Sequence, residues 1–238
     1  YWMSGDTVWG PIHTNHIMHN NGNPVFYGKA TAKQGISPSP SHHQNRAEFL
    51  GGWEIGVDMG IPSDMSEFII DVLVSNDGAA INTKCIYLQE LTLEFLANGD
   101  VIRNVDGNTD TVAITTIAPD GVIMCFSDII VSGVVNGEIS MYSWDGIWIE
   151  GDITYLVSPL ADINSDDMLG LIAEDDVFIT NNVANNSDVT INACIMAVSG
   201  GFGVDNVNSW PAAGILSSLG SIAQGSRGEI NKRTGGPF

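Results

Sequence analysis

The 238-residue chain carries 28 Asp and Glu against 8 Lys and Arg, a formal net charge of -20, and is 44% hydrophobic. That balance repels phosphate backbones and anionic headgroups, whose binding relies on Lys and Arg, so nucleic acid is ruled out as a partner while cations stay admissible. The apolar fraction allows a real core in one large or two small domains, and no apolar run is long enough to offer a membrane-spanning helix.

Along the chain an apolar–x–small–x–apolar signature recurs. Val8/Gly10/Ile12 is followed by Phe26/Gly28/Ala30, and Val131/Gly133/Val135 is followed at the same spacing by Ile149/Gly151/Ile153. It returns as Ile191/Ala193/Ile195 and, weakly, as Ser218/Gly220/Ile222. In an extended strand alternate residues share a face, and a small central residue leaves room for chain from a neighbouring coil. A fixed period of roughly 20 residues is the mark of a strand solenoid.

Residues 6–32 hold the first two copies, parted by the polar turn His19-Asn20-Asn21-Gly22-Asn23-Pro24. Ser37-Pro38-Ser39-Pro40 then breaks regular pairing, because proline lacks a donor and restricts its predecessor. From 53 to 119 the signature is lost. Residues 68–74 are apolar, 63–74 could open as a helix capped by Ser63, and Asn98-Gly99-Asp100 is a hairpin turn into Val101-Ile102. From 120 onward, short strands alternate with Asn-, Asp- and Gly-rich turns, which tolerate left-handed backbone.

The expected fold is therefore all-β, a short single-stranded parallel β-helix with an inserted strand-rich meander. Residues 1–35 form its first coils, 36–52 a loop, 53–119 the insert, and 120–238 the main β-helix with a peripheral C-terminal tail. Cys85, Cys125 and Cys194 sit among apolar neighbours without disulfide or zinc-knuckle spacing, and read as small core residues.

Few residues point to chemistry. Asp162, Asn164 and Asp166 alternate like the opening of a calcium loop, although Asp167 and Ala173 stand where that loop wants Gly and a bidentate acid. Calcium is thus the one candidate cofactor; the shorter Asp106-Gly107-Asn108-Thr109-Asp110 is a lesser candidate. His13, His16 and His19 could share a helix face as metal ligands, but extended chain turns His16 away from the other two. Asp166-Asp167 and Asp175-Asp176 could furnish a glycosidase pair, yet no Lys or Arg lies between Arg103 and Arg227 to neutralise an acidic sugar. Trp148 alternates out of phase with inward Ile147 and Ile149 and, with Trp144, is a candidate binding residue for a sugar ring or another subunit.

Three stretches carry a resemblance. They are Trp2-Met3-Ser4-Gly5-Asp6-Thr7-Val8-Trp9-Gly10-Pro11-Ile12-His13-Thr14-Asn15, then Asn23-Pro24-Val25-Phe26-Tyr27-Gly28-Lys29-Ala30-Thr31, and last Ile147-Trp148-Ile149-Glu150-Gly151-Asp152-Ile153-Thr154-Tyr155 with Leu169-Gly170-Leu171-Ile172-Ala173. Together they resemble uncharacterised bacterial envelope proteins in which a domain of unknown function follows a type IV pilin-like N-terminal helix. The likeness does not extend over 53–119 and brings no catalytic residues.

The resemblance implies export and anchoring through a helix preceding Tyr1. The expected function is a non-catalytic, extracellular or cell-surface, pilus-like appendage component that associates with itself or with other envelope subunits. It would meet a membrane only through that preceding segment. The alternative is a carbohydrate-binding or carbohydrate-processing β-helix.

Overall fold

The computed structural model describes residues 2–60, 85–207, 214–226 and 228–230. The chain is all-β, and it divides into two units, Tyr1–Gly60 and Ile61–Phe238.

The first unit holds β1 (Trp2–Met3), β2 (Thr7–Val8), β3 (Ile12–Thr14), β4 (Ile17–Asn21), β5 (Val25–Phe26), β6 (Ala30–Ala32), β7 (Gly35–Ser37), β8 (Glu48–Phe49) and β9 (Trp53–Ile55). Every third strand pairs in parallel, giving the sheets β1-β4-β7, β2-β5-β8 and β3-β6-β9. Trp2 lies opposite Asn20, Thr7 opposite Val25, Ile12 opposite Ala30 and Ile17 opposite Gly35. The step is constant at 18, the separation of His13 from its partner Thr31. The next step is longer, with Val25 opposite Glu48 and Ala30 opposite Trp53. Met18, Phe26, Ala30, Ala32 and Ile36 fill the interior of this unit. Its corners crowd backbone on backbone: a Cβ on Gly28 would stand 2.0 Å from the Gly10 carbonyl oxygen, so the small residue of the signature is required there.

The second unit winds a 13-stranded sheet. Its strands are β10 (Ile86–Tyr87), β11 (Leu91–Phe95), β12 (Asp100–Val105), β13 (Asn108–Ala113), β14 (Val122–Cys125), β15 (Ile129–Val135), β16 (Glu138–Ser143), β17 (Ile147–Tyr155), β18 (Met168–Ala173), β19 (Val177–Ile179), β20 (Val189–Ala197), β21 (Phe202–Val204) and β22 (Leu216–Gln224). One helical turn, α1 (Ile114–Ile117), follows β13. Parallel registers align inward residues in columns. Leu91, Ile129, Ile147, Val177 and Phe202 form one, and Leu93, Val131, Ile149, Ile179 and Val204 the next; every member is buried. Each such side chain contributes about 1.5–3 kcal/mol on burial, which makes these columns the main stabilising feature of the unit.

Several expectations change. The copies at Gly133 and Gly151 are not opposite each other: Ile129–Val131 pairs with Ile147–Ile149 at the spacing of the signature, and the register then shifts so that Gly133 faces Ile153. The irregularity lies inside β17 at Glu150-Gly151-Asp152, a corner between its Ile147–Ile149 half, which pairs with β19, and the half from Ile153, which pairs with β20. Gly133 itself turns with φ +106, and a Cβ there would lie 2.2 Å from the Phe95 carbonyl oxygen. Ile191/Ala193/Ile195 and Ser218/Gly220/Ile222, by contrast, stack directly as β20 on β22.

The antiparallel meander is narrower than 53–119, comprising β11, β12 and β13 alone among the described residues. Trp53–Ile55 instead completes the β3-β6-β9 sheet of the first unit, and β7 and β8 claim both ends of the stretch expected as a loop. Cys85 and Cys125 are buried, but Cys194 is exposed, because it points outward from β20 between inward Ala193 and Ile195. The apolar run at 68–74, the helix start at 63–74 and most of the C-terminal tail lie outside the described residues.

Candidate functional site

Asp162, Asn164 and Asp166 fall in the turn between β17 and β18, and all three are exposed. Asp162 Oδ1 accepts the backbone N–H and the side-chain amide of Asn164, each at 3.0 Å. These bonds, backbone first, hold the Asp162 carboxyl below its ordinary range. The arrangement is an Asx turn, in which one proposed ligand is already engaged by another. Asp167 ties the turn down: Oδ1 accepts from the Gly137 N–H at 2.7 Å and Oδ2 from the Val157 N–H at 2.6 Å. Among the described residues no group of three or more His, Cys, Asp and Glu is arranged to hold a metal ion.

The other carboxylate pair is similarly occupied. Asp176 Oδ1 accepts the Gly201 N–H at 2.7 Å, and Asp175 Oδ1 accepts the Ser199 hydroxyl at 3.0 Å. The histidines are parted by a corner at Asn15–His16, so His13 sits on β3 and His19 on β4, rather than on one strand. His13 hydrogen-bonds Thr31 Oγ1 at 2.8 Å and Asn15 Oδ1 at 2.7 Å.

Trp144 and Trp148 stand in different environments. Trp148 projects from β17 and is half-buried against Phe178 of β19, the ring centroids 5.3 Å apart. Trp144 follows β16 and is exposed, beside Phe126 at 5.9 Å and edge-on to Tyr142 at 6.4 Å. The parallel register sets Leu88, Phe126 and Trp144 in one exposed column at the ends of β10, β14 and β16. Beside it Tyr142 donates its hydroxyl to Glu174 Oε2 at 3.1 Å, and burial with that carboxylate raises its pKa. A second exposed stack, Trp9 on Tyr27 at 4.1 Å and 6°, marks a corner of the first unit. The matching places of Trp9 and Tyr27 in the first two copies of the signature are the signal in the sequence that could have found it.

Sequence reasoning also passed over the β12–β13 hairpin. Arg103 and Asp110 are directly opposed across it, and Arg103 Nε donates to Asp110 Oδ1 at 2.9 Å while Nη2 donates to Oδ2. Nη1 donates to the hydroxyl of Tyr87, a buried residue on β10, at 3.2 Å. The bonds raise the Arg103 pKa and hold Asp110 below the usual carboxylate range. Between the hairpin and Tyr87 opens a cleft of about 410 Å³, whose walls include Gln89, Asp106 and Asn108. The lesser calcium candidate is thus a hairpin turn, Asp106 at φ 51 and Gly107 at φ 77, with Asp110 engaged by Arg103.

No family model, no curated protein and no solved structure matches the chain.

Proposed function

We propose that the protein is a non-catalytic, exported component of the cell surface or of an appendage, joined to copies of itself or to other envelope subunits. The observation that carries this reading is the edge of β22. This nine-residue strand pairs along its whole length with β20 and, among the described residues, with no strand beyond it. Where β20 buries Ile191, Ala193 and Ile195, β22 places Ser218, Gly220 and Ile222, of which Ile222 is 44% exposed. A long free edge with its inward row open to solvent is a template for another strand, and natural proteins seldom leave one without a use. The winding of both units as β-helical coils belongs to the same proposal, since stacked parallel ladders grow by adding coils.

The acidic composition, 28 Asp and Glu against 8 Lys and Arg, supports this reading through the solubility that a large net charge gives. Calcium stays within the proposal as a ligand of Asp162, Asn164 and Asp166, to be checked by calorimetric titration. The alternative reading, carbohydrate binding or processing, draws on the exposed column of Phe126 and Trp144. Saturable glycan binding lost in Trp144→Ala or Trp148→Ala would favour it.

Sedimentation velocity over a wide concentration range, at salt sufficient to screen the charge of -20, tests assembly. The wild-type chain is expected to form larger species, and Ile222→Lys, which sets a charge on the open row, to remain monomeric. A wild-type monomer at every concentration would sink the proposal.

A further inference from the structure

The cleft beside Tyr87 has a chemical character of its own, set by what its walls have left unspent. Tyr87 is 8% exposed, and its hydroxyl accepts from Arg103. The hydroxyl proton has no acceptor among the described residues, so a buried donor is left for whatever enters. Among the described residues the exposed Gln89 amide and Asp106 carboxylate make no side-chain hydrogen bond there either, and exposed Asn108 makes only long contacts, 3.3 and 3.5 Å, to the carbonyls of Asp106 and Val105. The volume, about 410 Å³, is within the usual span of small-molecule sites, roughly 300–1,000 Å³.

We propose that this cleft binds a neutral saccharide. An anion is disfavoured: Arg103 is the only described Lys or Arg of the second unit, its charge is engaged by Asp110, and Asp106 stands at the rim. A phosphate or uronate would meet carboxylates rather than free cations. An apolar ligand would find only the Tyr87 ring and half-buried Val105. A bare metal ion would find no cluster of three ligating acids, histidines or cysteines among the described residues. What remains is an uncharged molecule with adjacent hydroxyls, each able to donate to a carboxylate or amide oxygen and accept from an amide or phenol. The Arg103–Asp110 pair fixes Tyr87 and the hairpin in place, so the donors and acceptors are set before the ligand arrives, which lowers the entropic cost of binding.

The test is a two-dimensional amide NMR titration of the full chain with glucose, galactose, mannose, N-acetylglucosamine and their disaccharides. At least one is expected to shift amides in 86–89 and 103–110 saturably. Tyr87→Phe removes only the hydroxyl, and Asn108→Ala alters an exposed turn. Each is expected to weaken binding about fivefold or more, as for one lost hydrogen bond, while Trp144→Ala leaves it unchanged. The proposal is overturned if no sugar saturates at concentrations on the order of 100 mM, if the shifts centre on Trp144, or if galacturonate binds more tightly than galactose. Should Tyr87→Phe fail to fold, Asn108→Ala and Gln89→Ala decide, and unchanged affinity in both overturns the cleft as the site.

Discussion

Asn20 is a buried amide on β4 whose Oδ1 and Nδ2 both lack a hydrogen-bond partner among the described residues. Desolvating an amide without compensation costs about 1–3 kcal/mol, so Asn20→Leu is expected to stabilise the first unit by about 1 kcal/mol, seen as a raised denaturation midpoint. A lowered midpoint would show that the amide is needed. Asn185, fully buried, is the contrasting case on the donor side: its amide nitrogen donates to the Ile149 carbonyl at 2.8 Å and the Thr180 carbonyl at 3.0 Å, while its Oδ1, like that of Asn20, has no partner among the described residues. Neither residue stood out in the sequence, where Asn-rich turns read alike. What separates them is whether register brings a carbonyl within reach.

Strands and corners were not equally legible. Alternation of apolar residues was legible in β15, β17 and β20, which carry the signature, because a single residue's slip would turn a whole face outward, and burial penalises that along the entire strand. Corners follow no such rule. The equivalence of Gly133 and Gly151 failed because two extra corner residues cost little when the flanking strands keep their own registers. The calcium-like spacing at Asp162 was misleading for a related reason: Asx turns and calcium loops both use alternating oxygen side chains, and only tertiary contact separates them. In that turn the decisive residue is Asp167, which the spacing left aside. Asp167→Ala strands the Gly137 and Val157 N–H groups, and is expected to lower stability by about 3 kcal/mol in urea titrations, whereas Asp162→Ala changes little. Equal effects would contradict the assignment of Asp167 as the tie.

Taken whole, the chain combines a heavy negative charge with buried acids of another kind. Burial pushes the Cys125 thiol from 9.0 up to about 11, and raises the phenols of Tyr142 and Tyr155. Because the folded pKa lies above the unfolded one, the native state holds its proton while the unfolded state releases it, and stability falls as pH rises between those values. Urea midpoints are therefore expected to decline from about pH 9 upward, the thiol's part being complete by about pH 11. Cys125→Ala should flatten the first part of that decline; an unchanged profile would count against the thiol. The division into two units was invisible in composition, since both use the same alternation and the same corner residues. The contact of Arg103 with Tyr87 was equally hidden, because β10 and β12 are not paired strands and only the folded sheet brings the two side chains together.

The step between stacked partners is short at Thr7–Val25, longer at Val25–Glu48, longer again at Val189–Leu216 and about doubled at Ile153–Ile191. Throughout, the inward columns stay in line. Length is therefore a free variable of the corners and a forbidden one of the strands: chain can be added between paired strands without disturbing their register. Peptide tags or whole binding loops inserted at 39–46 or 158–165 should leave the fold intact, and the same insertion within β16 or β18 should abolish it.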